Sequence, residues 1–307
     1  MTDVFSEKAR RLQLWQTISK HTLDNIEPSQ LRELGVYGGA QGIWVDKSHT
    51  AVPEIGTDGA TVAILHTGRH YADDLSEDGV IYHYPKTSRP AARDAAEVQA
   101  TKNAMQHGLP IFVVLPGKRN RSRRTVKLGW VCDFDDDARQ FLILFGDENR
   151  PPYSKAESTG DPFRLTEESN RKASIIMARV GQQRFRFHVM SKYGPKCIVC
   201  DISHPQLLKA AHICGKADKG TDDWRNGVAL CATHHDAFDC YLFGIEPDTG
   251  CIRCKPGVSD KDIGLRETAI KPLRNAPHIE ALRWRWEVTL KEWNDAADKK
   301  ELIAQAI

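Results

Sequence analysis

Short apolar runs bounded by polar or turn-forming residues recur through the first half of the chain. Runs of this kind, rich in Val, Ile, Phe and Tyr, are typical of β-strands. They predict strands at 42–45, 60–65, 80–84, 111–115 and 141–145. The intervening polar segments predict helices at 5–19, 28–34 and 94–107, and a Gly-Leu-Pro turn ends the last of them. The pattern therefore predicts a mostly β domain with an inserted helix, built as a twisted or barrel-like sheet.

The pattern changes after residue 150. Segment 151–170 begins with two adjacent prolines and is rich in Ser, Thr, Gly and Asp, a composition that predicts an irregular linker. A helix is predicted from about residue 171, and apolar residues at helical spacing predict a long amphipathic helix at 277–307. Packing of this helix on its own domain is favoured over a dimer contact. At 307 residues the chain can form two cores, 1–150 and 171–307, so the expected class is α+β.

The charge of the chain restricts where a polyanion could bind. The formal net charge is only +2, so a nucleic-acid surface must be local. A dense basic stretch between two predicted strands is typical of a loop that contacts phosphates, with a plain solvated loop as the alternative. Its basic residues are Lys118, Arg119, Arg121, Arg123 and Arg124. No apolar run has the length of a membrane span, and no signal-peptide pattern is present, so we expect a cytosolic protein without membrane contact.

Cysteine and histidine spacing predicts a structural zinc site. Cys197 and Cys200 form a Cys-x-x-Cys pair, and Cys231 with His234 repeats the same spacing. Three thiolates and one imidazole form a closed tetrahedral set suited to Zn²⁺. A second Cys-x-x-Cys at 251–254 is a rival for the second half of the site. In a cytosolic protein these thiols are not expected to form disulfides.

Polar residues interleaved with the zinc ligands predict a catalytic site. His212 follows an apolar run that ends a predicted strand, where it could act as a general base. Asn226 lies in a turn and could orient that imidazole or complete a metal shell. On the next helix His235 and Asp239 project from one face and could hold one Mg²⁺ or Mn²⁺ ion. His234 is ambiguous, because it could serve either metal.

This arrangement resembles the HNH nucleases of the ββα-metal fold. The likeness runs from about 179 to 252 and includes the Leu-x-Ala-Ala-His-Ile pattern that ends at Ile213. It implies that His212 is the base, Asn226 the middle Asn and His235 the metal-binding last His. Many members have an Asp before the first His, whereas this chain has Ala211, for which Asp239 is the candidate replacement.

The front domain resembles the SRA domains, which have a PUA-like barrel and recognise modified cytosine. The likeness covers roughly 30–148 and rests on an ordered set of Gly-, Tyr- and Asp-containing pieces, including 35–37, 71–74 and 82–84. It departs from the family at Pro85, where a Thr is usual, and at 69–70, where two Gly are usual. The resemblance implies a pocket for a flipped-out base, with Tyr71 and Tyr84 as aromatic faces and Asp74 accepting from the exocyclic amine.

The two resemblances together imply a modification-dependent restriction endonuclease of the prokaryotic cytoplasm. Its partner would be double-stranded DNA that carries 5-methyl- or 5-hydroxymethylcytosine. One active site cuts one strand, so double-strand cleavage predicts a homodimer or two binding events. The alternatives are a non-catalytic reader of modified DNA, and an HNH nuclease whose front domain reads unmodified DNA.

Overall fold

The chain forms two compact units, Met1–Ala156 and Glu157–Ile307. The computed structural model describes residues 3–20, 24–38, 42–67, 75–146, 162–167, 175–273 and 275–305. No helix in these ranges is long and apolar enough to cross a membrane.

The first unit is a mixed sheet with helices. Its elements are α1 (Val4–Ser19), α2 (Pro28–Glu33), β1 (Ile43–Val45), α3 (Lys47–Thr50), β2 (Thr61–Leu65), β3 (Gly79–His83), α4 (Ala91–Gln106), β4 (Ile111–Pro116), β5 (Arg124–Asp135) and β6 (Gln140–Phe145). The six strands lie in the order β1-β2-β4-β5-β6-β3. The β2–β4 pair is parallel and the other pairs are antiparallel. The basic stretch at 118–124 occupies the turn between β4 and β5 and ends at the first residue of β5, Arg124.

The predicted barrel closure is not seen in the described part of this unit. Strands β1 and β3 lie at opposite ends of the sheet and do not pair with each other. Strand β1 has three residues, and its register with β2 shifts between Trp44 and Val45. An edge strand this short offers few backbone groups for a further partner. The mixed α+β class is confirmed, but the sheet is open.

A buried ion pair fastens helix α1 to this sheet. Arg11 and Glu7 are both fully buried, and Arg11 Nε lies 2.7 Å from Glu7 Oε1. Arg11 Nη1 also donates to the backbone carbonyls of Thr61, at 2.7 Å, and Pro110, at 2.8 Å. These bonds satisfy a guanidinium that burial alone would destabilise.

The second unit is built around a β-hairpin and the helix that follows it. Its elements are α5 (Ile175–Tyr193), β7 (Leu208–His212), β8 (Gly227–Cys231), α6 (Ala232–Asp239), β9 (Phe243–Ile245), β10 (Ile252–Cys254), α7 (Asp260–Ile263) and α8 (Ile279–Gln305). Strands β7 and β8 are antiparallel, with His212 opposite Gly227 and Leu208 opposite Cys231. Helix α6 begins directly after β8, so the three elements form one ββα unit.

Helix α8 packs within this unit. Trp293 Nε1 donates to the Tyr241 carbonyl at 2.6 Å, and the Arg285 guanidinium donates to the Phe238 carbonyl. The guanidinium of Arg285 also lies 4.1 Å from the Tyr241 ring. Helix α8 therefore holds the end of α6 in place. The predicted packing of the helix on its own domain is confirmed.

The described end of the predicted linker, 162–167, also packs on the second unit. The Phe163 ring stacks on His278 with centroids 3.9 Å apart. The backbone N–H of Thr221 donates to the Leu165 carbonyl at 3.1 Å. Residues 151–161 and 168–170 lie outside the described residues.

Candidate active site and metal centre

Four buried donors converge where β8 meets α6. They are Cys197, Cys200, Cys231 and His234, and their ligand atoms all lie within 4.8 Å of one another. Cys200 Sγ is 3.9 Å from Cys231 Sγ. A tetrahedral Zn²⁺ with Zn–S bonds of about 2.3 Å places two sulfurs roughly 3.8 Å apart, so the residues fit this ion. Burial raises the pKa of the Cys200 and Cys231 thiols, and a bound zinc ion would hold both as thiolates.

The rival pair of cysteines lies apart from this cluster. Cys254 Sγ donates to Asp260 Oδ1 at 3.1 Å. Burial, together with this hydrogen bond, raises the pKa of the Cys254 thiol to about 12. Cys251 precedes β10 and pairs through its backbone with Ala269. The second half of the four-donor cluster is therefore Cys231 and His234.

The adjacent histidines of α6 point to different places. His234 is buried, and its Nδ1 lies 3.0 Å from Cys231 Sγ and 3.7 Å from Cys197 Sγ. Successive residues of a helix are about 100° apart, which turns His235 away from the thiols. His235 Nδ1 instead lies 3.2 Å from Asp239 Oδ2, within ion-pair range but not aligned for a hydrogen bond. The ambiguity about His234 is thus removed by helix geometry.

His212, at the end of β7, is held by an aromatic ring and a carboxylate. The Phe185 ring of α5 stacks on the imidazole with centroids 3.8 Å apart and an interplanar angle of 7°. His212 Nε2 lies 2.9 Å from Asp222 Oδ1, and Lys216 Nζ lies 2.8 Å from the same oxygen. Burial raises the pKa of Asp222, but hydrogen bonds from His212 and Lys216 outweigh it, so the pKa lies below its ordinary value.

Asp222 was missed by the sequence reasoning. It lies in an irregular loop, ten residues from His212 and next to a second Asp. No periodic pattern marks it. The one available signal was a carboxylate between His212 and the Trp-Arg-Asn-Gly turn.

Asn226 contacts loop backbone rather than the imidazole. Its side chain is fully buried. Its Oδ1 accepts from the Cys214 N–H, and its Nδ2 donates to the carbonyls of Cys214 and Thr221, each at 2.9 Å. These bonds involve both the oxygen and the nitrogen of the amide, and they connect separate parts of the loop between β7 and β8. No hydrogen bond between Asn226 and His212 is among the contacts of the described residues. A role for Asn226 in orienting that imidazole or completing a metal shell stays a prediction.

The position before His212 carries no donor. Ala211 is fully buried and belongs to the same apolar cluster as Phe238 of α6. Within the described ranges, the three cysteines and His234 are the one group of three or more His, Cys, Asp or Glu side chains that converges in this way. The His235–Asp239 pair supplies two donors, so a cation bound there would take its other ligands from water or substrate.

Comparison with known proteins bears on this ββα unit. Residues 197–246 match the HNH endonuclease family (HNH_2). None of the curated proteins compared with the chain matches it. Solved structures match it, two restriction endonucleases among them. A modification-dependent TagI restriction endonuclease is 17% identical with a TM-score of 0.30, over 85% of this chain and 90% of that chain. The type IV phosphorothioation-dependent restriction endonuclease ScoMcrA is 12% identical with a TM-score of 0.24, over 76% of this chain and 59% of that chain.

The predicted base pocket of the front unit is described only at Tyr84. Tyr71 and Asp74 lie outside the described residues. The Tyr84 side chain is 8% exposed, and its hydroxyl donates to Asp136 Oδ1 at 2.9 Å. Its ring packs on Phe141 with centroids 4.5 Å apart. These contacts give Tyr84 a place in the core of the unit.

The basic stretch of the front unit divides into two groups. Lys118, Arg119 and Arg121 are exposed. Arg123 pairs with Glu27 at 2.5 Å, and Arg124 donates to backbone carbonyls of the same turn. Lys118, Arg119 and Arg121 are therefore the side chains of this stretch that expose their charge to solvent.

Proposed function

We propose that this protein is a metal-dependent DNA endonuclease that cuts near modified cytosine. The observation that carries the nuclease half is the HNH-matching ββα unit, with His212 at the end of β7 and His235 paired to Asp239 on α6. Helix α6 packs back on both strands, and Lys209 Nζ lies 3.9 Å from Asp236 Oδ1. Strand β7 and helix α6 thus supply, from neighbouring elements, the base and the metal donors that phosphodiester hydrolysis requires.

His212 acts as the general base. Because Nε2 is occupied by Asp222, the ring accepts the proton of the attacking water at Nδ1. The water oxygen attacks phosphorus in line, and the bond to the 3′ oxygen breaks. His235 and Asp239 would hold the divalent cation, which supplies stabilisation of the charge that develops on the phosphate and the leaving oxygen.

The reader half rests on the ordered SRA-like pieces of the front unit and on its exposed basic turn. Lys118, Arg119 and Arg121 would contact phosphates, which makes binding fall steeply with salt. Flipping a base costs a few kcal/mol, which stacking and hydrogen bonds in the pocket must offset. With Tyr84 engaged in the core, Tyr71 and Asp74 are the residues proposed to contact the base. Because the observed sheet is open and not closed into a barrel, the likeness of this unit to an SRA domain is itself part of the proposal.

One cleavage assay tests both halves. The full chain is incubated with Mg²⁺ or Mn²⁺ and one plasmid in unmodified, 5-methylcytosine and 5-hydroxymethylcytosine forms. We expect cutting of a modified form alone, lost in His212→Ala and kept in His204→Ala, an exposed histidine of the same unit. Cutting of all forms alike would overturn the reader half. Binding of modified DNA without cutting, with either metal, would overturn the nuclease half in favour of a non-catalytic reader.

A further inference from the structure

One face of helix α5 is shaped around the pair formed by His212 and Asp222. Phe185 stacks on the imidazole, and Gly181 lies one helical turn earlier on the same face. A Cβ atom on Gly181 would lie 3.1 Å from Asp222 Oδ2, tighter than an ordinary contact. The absence of a side chain at this position therefore leaves the space that the carboxylate fills.

The carboxylate is fastened on its other side by an ion pair. Asp222 Oδ1 accepts from His212 Nε2 at 2.9 Å and from Lys216 Nζ at 2.8 Å. Lys216 Nζ in turn lies 2.5 Å from Glu167 Oε1, at the described end of the segment before α5. The position of Asp222 is thus determined by contacts with side chains from several elements.

We propose that Asp222 is the positioning residue of His212. A carboxylate that accepts the Nε2 proton leaves the lone pair on Nδ1, which is the arrangement a base needs to take a proton from water. Stacking on Phe185 restricts tilt of the ring, and Asp222 restricts rotation within the ring plane. This inference rests on the proposed nuclease function, because it assigns a partner to the base of that reaction.

Substitutions of Asp222 separate orientation from charge. Asp222→Ala removes the acceptor, and we expect the cleavage rate at saturating enzyme to fall about 10²-fold, within the range by which a general base contributes. Asp222→Asn has the same shape and keeps one oxygen for His212 and Lys216, so it is expected to recover a measurable part of that loss. The matched control is Asp218→Ala, an exposed carboxylate of the same loop.

Gly181 provides a second, independent perturbation. Gly181→Ala pushes the carboxylate by a few tenths of an ångström without removing any polar group. We expect a loss of rate smaller than that of Asp222→Ala. The control is Gly215→Ala, where the new Cβ would lie at an ordinary 3.7 Å from Asp218 Oδ2.

The experiment is single-turnover cleavage by the full chain, with the dissociation constant for the same DNA measured separately. A positioning role lowers the rate and leaves the dissociation constant unchanged, whereas a merely structural role changes both. Nitrogen-15 NMR of the histidine rings at alkaline pH supplies a readout that needs no cleavage. We expect the Nε2–H tautomer of His212 in the wild-type protein and a mixture in Asp222→Ala.

The two proposals fail in different ways. If the wild-type protein cuts no DNA, the proposed function is lost. If the wild-type protein cuts and Asp222→Ala cuts at the same rate, the nuclease stands and the positioning role is overturned.

Discussion

Asn226 offers a direct test of how the loop between the two hairpin strands is held. Its amide makes three hydrogen bonds of 2.9 Å to the backbone of Cys214 and Thr221, in a fully buried place. Asn226→Ala leaves those groups without their partner, at about 1–3 kcal/mol for each unsatisfied group. Water that enters the altered site would hydrogen-bond some of these groups and reduce the loss. We therefore expect the free energy of opening this loop to fall by about 3 kcal/mol. At about 1.4 kcal/mol for each factor of ten, this corresponds to a population of the open loop that is roughly 10²-fold larger.

Asn226→Asp is the sharper variant. It has the same size and can still accept from the Cys214 N–H, but its second oxygen faces two carbonyl oxygens to which the Asn donates. We therefore expect a loss similar to that of Asn226→Ala. The matched control is Asn275→Ala, which removes a single hydrogen bond to the Lys192 carbonyl elsewhere in the unit.

Amide hydrogen exchange, read by mass spectrometry on peptides that cover 213–226, measures this opening in the native full chain. Cleavage rates of the variants should fall in parallel with the increase in exchange, because the loop carries Asp222. If amide exchange in Asn226→Asp were as slow as in the wild-type protein, the role of Asn226 in holding this loop would be refuted. A direct contact between Asn226 and the reacting groups would then better explain any lost activity.

Two further predictions concern the cores of the two units. Cys200→Ser should abolish binding of one zinc ion per chain and unfold the ββα unit, since structural zinc contributes about 10–16 kcal/mol of apparent binding free energy in small domains. Metal analysis measures the bound zinc, and circular dichroism measures the folding. A variant that is folded but zinc-free would contradict this prediction. Glu7→Gln leaves Arg11 buried without its charge partner and should cost about 3–5 kcal/mol. Burial raises the pKa of Glu7, but contacts with Arg10 and Arg11 outweigh it, so the pKa lies below its ordinary 4.5. The difference in unfolding free energy between wild type and variant should thus be complete above about pH 4.5 and vanish as the pH falls through the lower folded-state value. Urea unfolding across this range measures it, and a difference that persists in strong acid contradicts it.

Elements with a strong local pattern were predicted close to their observed bounds. The five predicted strands correspond to β1, β2, β3, β4 and β6, because each is an apolar run ended by turn-forming residues. Strand β5 was missed. It carries Lys127 and Asp133 among its apolar residues, and its register with β6 shifts between Val131 and Asp133. Such a strand can be identified from its pairing with neighbouring strands but not from its own sequence pattern, because charged residues interrupt the apolar run.

The cluster of three cysteines and His234 shows what short spacing by itself determines. A Cys-x-x-Cys turn and a Cys-x-x-His turn each aim two donors at one point, whatever surrounds them. The choice between the two rival partners did require the tertiary structure, because spacing is equal in both and only the fold brings the β8–α6 junction to Cys197 and Cys200.

The surroundings of His212 were decided by tertiary structure alone. His212 could be named from the end of an apolar run, but its partners come from an irregular loop and from a helix that begins at Ile175. No helical or strand periodicity in the sequence relates His212 to Gly181, Phe185 or Asp222. Local spacing constrains only atoms joined by a few rotatable bonds, whereas contacts across loops depend on how whole elements pack. The sequence thus determined which chemical groups are available, and packing determined which of them meet.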